Sequence, residues 1–305
     1  DVIPDDFSFG KAWGLHNTGQ SGGTPDADID APEAWDITTG SSDVVVAVID
    51  TGVEYTHNDL ASNMFRNEAD CDDDSVDDDN NGFADDCHGI DTHNDDSDPI
   101  DDNGHGTHVA GTIGASANDF SAIPGVAWNV RLMACKFLNR DGRGFTSDAV
   151  ECFDYIAAMH DHGVNIVATN NSWGGSGFSE ALLDAIDAHR QRGILCIASA
   201  GNSGRESTSF PANYYVPNII AVAATTRTDD LAAFSSRGKT VVHVGAPGQE
   251  ILSLWTLNGT RTLNGTSMAS PHVAGVAALL AADDPGRDWI AIKNLILSSG
   301  DPLTA

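Results

Sequence analysis

The chain has 305 residues, of which 41% are hydrophobic, and its 45 acidic and 15 basic residues give a formal net charge of −30. A charge of this sign argues against binding of nucleic acid phosphates through a basic surface. The sequence contains no run of about 18 consecutive apolar residues, so it predicts no membrane span.

Hydrophobic periodicity predicts strands that alternate with helices. The predicted strands are 44–49, 130–138, 165–169, 193–198 and 219–224. The predicted helices are 106–116, 147–160, 180–192 and 268–282. This alternation indicates right-handed crossovers and a doubly wound α/β fold, in which a mostly parallel sheet is flanked by helices on both faces. Because no linker, repeat or second hydrophobic core is visible, we expect a single domain over residues 1–305, with an acidic insertion at about 66–102.

The acidic insertion has the composition of a calcium loop. Sixteen carboxylates and no Lys or Arg lie between Glu68 and Asp102. Oxygen ligands on alternate residues, a glycine and a further carboxylate form the calcium-loop pattern, and the candidate ligands are Asp77, Asp79, Asn81, Phe83 through its carbonyl, and Asp85. The twelfth position of an EF-hand loop would be His88 rather than Glu. The alternative is a disordered acidic run.

Five cysteines favour an oxidising, extracellular setting. Cys71 and Cys87 bracket the acidic loop, and we expect a disulfide between them that is worth about 3 kcal/mol in the chain-entropy model. Cys135 lies on a predicted strand, and Cys152 lies on the next predicted helix. These two cysteines could form a second disulfide or remain as two buried thiols. Cys196 lies in an apolar run and is interpreted as a small core residue.

Three motifs place polar residues where elements begin or end. Asp50 closes a β-branched strand, His105 stands between glycines before an apolar helix, and Ser267 begins a second apolar helix. A base orienter, a base and a nucleophile are what acyl transfer requires. At a helix N-terminus, backbone N–H groups without intrahelical partners would stabilise an oxyanion beside Ser267. We expect Pro271 in the first turn of that helix, where its missing N–H costs little.

The stretches VVVAVIDTGV, DNGHGTHVAG and NGTSMASPHVAG resemble the motifs of the subtilases, the subtilisin-like serine proteases, in residues and in chain order. The resemblance extends to about Gly300. It implies a secreted, calcium-stabilised endopeptidase in which Ser267 is the nucleophile, His105 the base, Asp50 its orienter and Asn202 an oxyanion donor. The implied substrate-binding residues are Ser172, Trp173, Gly174, Gly175, Ser199, Ala200 and Gly201. An extended peptide would pair with these segments by strand addition.

The resemblance also implies two calcium sites outside the acidic loop, so that two or three Ca²⁺ ions are expected in all. The first site would combine Asp59 and Asp119 with Asp5 and carbonyls near Ala117, Ser121 and Ile123. The second would use Asp91, Asp96 and Asp98. His105 and His108 are spaced i, i+3 without an intervening Glu, which disfavours zinc, and we interpret His108 and His272 as buried, hydrogen-bonded residues.

The family further implies protein or peptide substrates, an inhibitory propeptide and a monomer. The start at Asp1 without an apolar leader suggests processed protein, and the end at Ala305, soon after the last predicted helix, suggests truncation or processing. One alternative is a non-catalytic, calcium-stabilised binding module, against which the intact Asp50, His105, Asn202 and Ser267 argue. Another is a narrow processing protease that acidic charge near the cleft makes selective for basic residues.

Overall fold

The computed structural model describes residues 2–118 and 122–300. Within these ranges the strands are β1 (Gly40–Asp50), β2 (Gly89–Asp91), β3 (Asn129–Lys136), β4 (Ile166–Asn171), β5 (Leu195–Ser199), β6 (Ile219–Thr225), β7 (Val244–Pro247), β8 (Ile251–Trp255) and β9 (Gly259–Leu263). The helices are α1 (Ala31–Trp35), α2 (His105–Gly114), α3 (Thr146–Asp161), α4 (Glu180–Gln191), α5 (Thr266–Asp283) and α6 (Trp289–Ser299). Short 3₁₀ turns occur at Phe9–Lys11, Gln20–Gly22 and Ala61–Asn63.

The main sheet is parallel and has the strand order β2-β3-β1-β4-β5-β6-β7. Strands β8 and β9 form a separate antiparallel hairpin immediately before α5. In the described part of the chain no helix is both long and apolar enough to cross a membrane.

The central strand β1 supplies side chains to two cores. Val44, Val46 and Val48 lie in the core that contains residues of α2 and α5, whereas Val45, Ala47 and Ile49 lie in the opposite core with α3 and α4. A strand covered on both faces needs apolar residues at successive positions, which explains the unbroken run in β1. The doubly wound α/β fold predicted from the sequence is therefore confirmed.

Each predicted strand and helix is present, with shifted ends. The largest shift is at the start of β1, which begins at Gly40 rather than 44. Periodicity missed β2 and β7, which have 3 and 4 residues and contain glycine, so they are too short to produce an alternating pattern. The sequence analysis also missed the β8–β9 hairpin and α6.

Two disulfides join elements of the described chain. The Cys71–Cys87 bridge closes the acidic loop as predicted. The Cys135–Cys152 bridge ties β3 to α3, with 5.8 Å between the Cα atoms, and resolves the alternative that the sequence left open. Cys196 is a free, buried thiol as expected, and burial raises its pKa to about 12.

Pro271 lies inside α5 rather than in its first turn, because the helix already begins at Thr266. A residue at this position would normally donate its N–H to the carbonyl of Ser267, four residues earlier. Proline has no such donor. The Ser267 carbonyl instead accepts a hydrogen bond of 2.8 Å from the Ser172 hydroxyl, so the proline frees a carbonyl that ties α5 to the end of β4.

Candidate active site

The candidate residues gather at the carboxyl edge of the sheet. Asp50 is the last residue of β1, Ser172 follows β4, and Asn202 lies three residues beyond β5. Because β1, β4 and β5 are parallel neighbours or next neighbours in the sheet, their carboxyl ends meet on one side. Binding sites of open α/β sheets form at this edge.

Asp50 and His105 form a short hydrogen bond. His105 Nδ1 lies 2.7 Å from Asp50 Oδ1, which also accepts a 2.7 Å hydrogen bond from the Thr51 N–H. The Asp50 side chain is fully buried, and that of His105 is 27% exposed. An acceptor at Nδ1 fixes the imidazole tautomer with its free lone pair on Nε2, which is the form that a general base needs.

The pKa of His105 is raised above its ordinary value of 6.5. Burial is the largest single effect and lowers this pKa, but the charge of Asp50, the hydrogen bond to it and the charge of Asp101 together outweigh burial. The carboxylates thus favour the imidazolium that forms when His105 accepts a proton.

Asp101 holds the turn that presents His105, and the sequence analysis did not single it out. Its Oδ1 accepts hydrogen bonds from the N–H groups of Asn103 and Gly104, and its Oδ2 accepts two from Thr107. Gly104 has φ +108, and the Trp255 ring occupies the space of a side chain there. A buried carboxylate that accepts donors of the first helical turn acts as a cap, so α2 begins at His105 for a local reason.

Ser267 is the second residue of α5, and its prediction at a helix N-terminus is confirmed. Its hydroxyl donates to the Ser172 carbonyl at 2.9 Å. The Ser172 hydroxyl donates back to the Ser267 carbonyl and also contacts Ser270 Oγ at 2.8 Å. Ser172 is buried, so this reciprocal pair fixes the nucleophile candidate against the segment predicted to bind substrate.

Asn202 is exposed and has a fixed orientation. Its Oδ1 accepts hydrogen bonds from Thr266 N at 2.9 Å and Thr266 Oγ1 at 3.1 Å. Among the described residues its Nδ2 donates to no group, which leaves two N–H bonds beside the start of α5. Thr266 is fully buried and also accepts from Gly201 N at 3.1 Å. The sequence analysis missed Thr266, although it directly precedes Ser267.

A cleft of about 580 Å³ runs beside these groups. His105 and the Ser172–Gly175 segment line one part of it, and residues 142–146 line another. Trp173 packs edge-on against Phe137, with 4.8 Å between the ring centroids. The Ser209 hydroxyl leaves no room for a side chain at Gly174. Four of the predicted substrate-binding residues therefore border a single groove.

The other predicted substrate-binding residues lie behind that segment. Ser199 Oγ donates to the Trp173 carbonyl at 3.3 Å, Ala200 N pairs with β6, and Gly201 N donates to Thr266. These contacts join the end of β5 to both the substrate segment and the start of α5.

His108 and His272 are buried and hydrogen-bonded, as predicted. His108 Nε2 contacts the carbonyls of Ile251 and Arg261 at 3.1 and 3.0 Å, and His272 Nδ1 contacts the Met268 carbonyl at 2.8 Å. Burial lowers the pKa of His108 to about 3 and that of His272 to about 4. Both rings are neutral at neutral pH.

The acidic loop brings carboxylates to the spacing of metal ligands. Oxygens of Asp70, Asp77 and Asp79 lie within 4.8 Å of one another, and so do oxygens of Asp70, Asp72 and Asp85. Asp70 belongs to both groups and was not predicted. It is fully buried, and its Oδ1 has no hydrogen-bond partner in the described residues. Asp70 directly precedes Cys71, which forms a disulfide with Cys87, and this position in the sequence is the signal that could have identified Asp70 as a candidate ligand.

Local hydrogen bonds shape the loop around these carboxylates. Asp77 accepts from the N–H groups of Asn81 and Gly82, and Asn81 Oδ1 accepts from Phe83 N. Burial raises the pKa of Asp70, backbone hydrogen bonds partly offset this, and the charges of Asp79 and Asp85 raise it further. Such crowding favours a cation or a proton. A 2.6 Å hydrogen bond from Tyr155 to Asp86 anchors the loop on α3.

The Asp59 region brings three chain segments together. Asp59 is buried, and its Oδ2 accepts from Ala122 N at 3.0 Å. Asp5 N donates to the side chain of Asn118, which follows Ala117 and lies five residues before Ile123. Two of the predicted ligands, Asp119 and Ser121, lie outside the described residues.

Asp91, Asp96 and Asp98 are neighbours whose carboxylates mostly bond to nearby groups. The backbones of Asp91 and Asp96 pair with each other, and the Asp91 oxygens accept from His93 and Asn94. Asp98 Oδ1 accepts from the Tyr55 hydroxyl at 2.8 Å. Within the described ranges these three do not form a group with the 4.8 Å ligand spacing found around Asp70.

The fold and site together define a doubly wound α/β protein with an Asp-His pair and a helix-start serine at one sheet edge. Residues 41–303 match the model of the Subtilase family. The chain belongs to the subtilase family of serine endopeptidases.

The chain is similar to several named proteases. It is 40% identical over 271 residues to "Thermophilic serine proteinase" of Bacillus sp. (strain AK1), covering 89% of this chain and 60% of that protein. It is 35% identical to "Thermitase" of Thermoactinomyces vulgaris, covering 90% of this chain and 87% of that protein. A solved structure, "Crystal structure of a cold adapted subtilisin-like serine proteinase", matches with a TM-score of 0.72 and 33% identity over 94% of this chain and 90% of that chain.

Proposed function

We propose that this protein hydrolyses peptide bonds as a serine endopeptidase, with Ser267 as nucleophile, His105 as general base and acid, and Asp50 as its orienter. The observation that carries the proposal is the 2.7 Å bond from His105 Nδ1 to the buried Asp50, together with the position of Ser267, whose hydroxyl bonds to the carbonyl of Ser172 in the same cleft lining as His105. Family membership supports the same reaction.

The reaction would run in two proton-balanced stages. The Ser267 hydroxyl turns from the Ser172 carbonyl toward His105, and its Oγ attacks the substrate carbonyl carbon while Nε2 takes the proton. The oxyanion accepts hydrogen bonds from Asn202 Nδ2 and the Ser267 backbone N–H. His105 then gives its proton to the leaving amine as the C–N bond breaks. Water repeats the sequence on the acyl-enzyme and releases the acid.

A fluorophosphonate probe tests the nucleophile, because it labels an activated serine. The wild-type protein should be labelled and should cleave a generic peptide, and Ser267→Ala should abolish both. Ser176→Ala, an exposed serine beside the cleft, is the matched control and should retain both. Labelling that survives Ser267→Ala would contradict the assignment.

We further propose that calcium stabilises the fold through the acidic loop. Asp70 would hold the ion together with Asp77 and Asp79, or together with Asp72 and Asp85, and a hard oxygen set with a buried carboxylate oxygen lacking a partner fits Ca²⁺. Asn81 and Phe83 remain candidate ligands there, and a second ion is proposed at Asp59 with Asp5, Ala117, Asp119, Ser121 and Ile123. A third, at Asp91, Asp96 and Asp98, has less support because, among the described residues, their oxygens do not form a group with the ligand spacing found around Asp70.

Melting of the Ser267→Ala protein, which cannot digest itself, tests the calcium proposal. A site that binds a thousandfold below ambient calcium adds about 4 kcal/mol to the free energy of unfolding. Chelator should therefore lower Tm by several degrees. Calcium should restore it, and magnesium should restore little because it gives up its waters reluctantly. Coincident curves with calcium and chelator would contradict the proposal.

Secretion, a removable propeptide and a monomeric state complete the proposal. The two disulfides support an oxidising compartment. Expression of the full precursor, followed by its appearance in medium and by size-exclusion chromatography, would test these three points.

A further inference from the structure

The cleft has the opposite charge character from the rest of the molecule. The chain has 45 acidic residues, yet none of the residues that line the cleft is Asp or Glu. One lining residue, Arg143, carries a permanent positive charge. Its side chain is exposed, and within the described residues it forms no ion pair.

The turn that carries Arg143 is rigid. The Asn139 side chain accepts hydrogen bonds from the N–H groups of Asp141 and Arg143, and Asn139 N donates to the Arg143 carbonyl at 2.9 Å. Asn103, two residues before His105, donates to the Arg140 carbonyl at 2.8 Å. The backbone from which Arg143 extends is therefore fixed relative to the catalytic candidates.

Aromatic side chains form part of the cleft wall that also includes Arg143. Phe137 and Trp173 pack edge to face on the cleft wall, and Phe145 is 73% exposed at its rim. The Phe137 carbonyl leaves no room for a side chain at Gly144. A substrate residue beside this wall would contact carbon atoms along its stem and meet the guanidinium at its tip.

Nearby carboxylates do not cancel this charge inside the cleft. Asp102 is paired with the buried Lys136 at 2.8 Å, and Asp141 is exposed on the turn outside the lining. The charges of Asp50 and Asp101 act on His105, in another part of the cleft lining. Salt screens exposed charges that lie farther away than a Debye length of about 8 Å. A contact between Arg143 and a bound side chain is screened much less.

We propose that Arg143 is a specificity-determining residue that selects peptide substrates with an acidic side chain, Glu or Asp, in the subsite beside Phe137 and Trp173. This inference rests on the proposed peptidase function and names its substrate class. It is opposite to a preference for basic residues. A guanidinium binds a carboxylate with two directed hydrogen bonds, whereas it can neither pair with nor tolerate a lysine at that place.

The test is a set of fluorogenic peptides that differ only by Glu, Gln or Lys at one of the positions flanking the cleaved bond. At one position kcat/KM of the wild-type enzyme should be roughly 3- to 10-fold higher for Glu than for Gln, the size of a partly exposed, charge-assisted contact. The preference should shrink in high salt. Arg143→Gln should abolish it, and Arg143→Glu should shift it to Lys.

Arg140→Gln is the matched control, because Arg140 is exposed on the same turn but does not line the cleft. It should keep the wild-type Glu to Gln ratio. A ratio near one at every position, or a ratio that Arg143→Gln leaves unchanged, overturns the proposal. Cleavage of the Gln peptides reports on the peptidase function separately, and if no peptide is cleaved the peptidase function and this inference fail together.

Discussion

Asp70→Asn should raise stability in the absence of calcium and reduce the stabilisation that calcium adds. The substitution keeps the shape of the side chain and removes one charge. An oxygen of Asp70 lies within 4.8 Å of oxygens of Asp72, Asp77, Asp79 and Asp85. At 4.8 Å, each like-charge pair costs about 0.9 kcal/mol in a water-like dielectric. Four pairs sum to about 3–4 kcal/mol, and salt screening reduces this to about 1–3 kcal/mol.

In chelator the variant should therefore be more stable than the parent by about 1–3 kcal/mol, which raises Tm by several degrees. In calcium it loses a charged ligand. A tenfold weaker site lowers the contribution of calcium to the free energy of unfolding by about 1.4 kcal/mol when calcium is in excess. The two melting curves of the variant should thus lie closer together than those of the parent.

The assay is thermal unfolding on the Ser267→Ala background at pH 8, because burial raises the pKa of Asp70 and high pH favours its charged form. Asp73→Asn is the matched control, because Asp73 is exposed in the same loop and belongs to neither carboxylate group. Its φ of +60 suits asparagine. A Tm in chelator that is not raised by Asp70→Asn, or a calcium-induced Tm shift as large as that of the parent, would contradict the prediction.

Four further predictions concern catalysis and the Cys71–Cys87 disulfide. kcat/KM should rise with pH, with a midpoint above 6.5, because His105 must be neutral to act as a base and its pKa is raised. A pH-rate profile with a lower midpoint would contradict this. Asn202→Leu should lower kcat by about 10²–10³ with little change in KM, a range taken from removal of the corresponding donor in subtilisin. Thr266→Val should lower kcat about tenfold, because it removes the two hydrogen bonds of 3.1 Å that orient Asn202 and Gly201. An unchanged kcat would show that other contacts orient Asn202. Replacing Cys71 and Cys87 by alanine should lower the free energy of unfolding by about 3 kcal/mol, because the bridge joins residues that are 16 positions apart. Melting curves on the Ser267→Ala background measure this loss. An unchanged Tm would mean that the loop is already ordered by other contacts.

Local sequence determined the parts of this protein that local rules govern. The apolar, β-branched run of β1 favours a strand buried on both faces, and the alternation of strands with helices predicted the parallel sheet. The motifs around Asp50, His105 and Ser267 each combine a chemical group with the glycine or helix start that presents it, so the candidate residues could be named without coordinates. The bracketing cysteines likewise predicted the 71–87 bridge.

Tertiary structure alone decided which distant groups support those residues. Thr266 and Asp70 stand next to Ser267 and Cys71 in the sequence, but their importance, like that of Asp101, lies in burial and in hydrogen bonding that depend on how loops pack. Likewise, the net charge of −30 gave no indication of a cleft lined by an arginine and no carboxylate. Net charge is a sum over the chain, whereas the field in a cleft depends on which few side chains the fold turns into it.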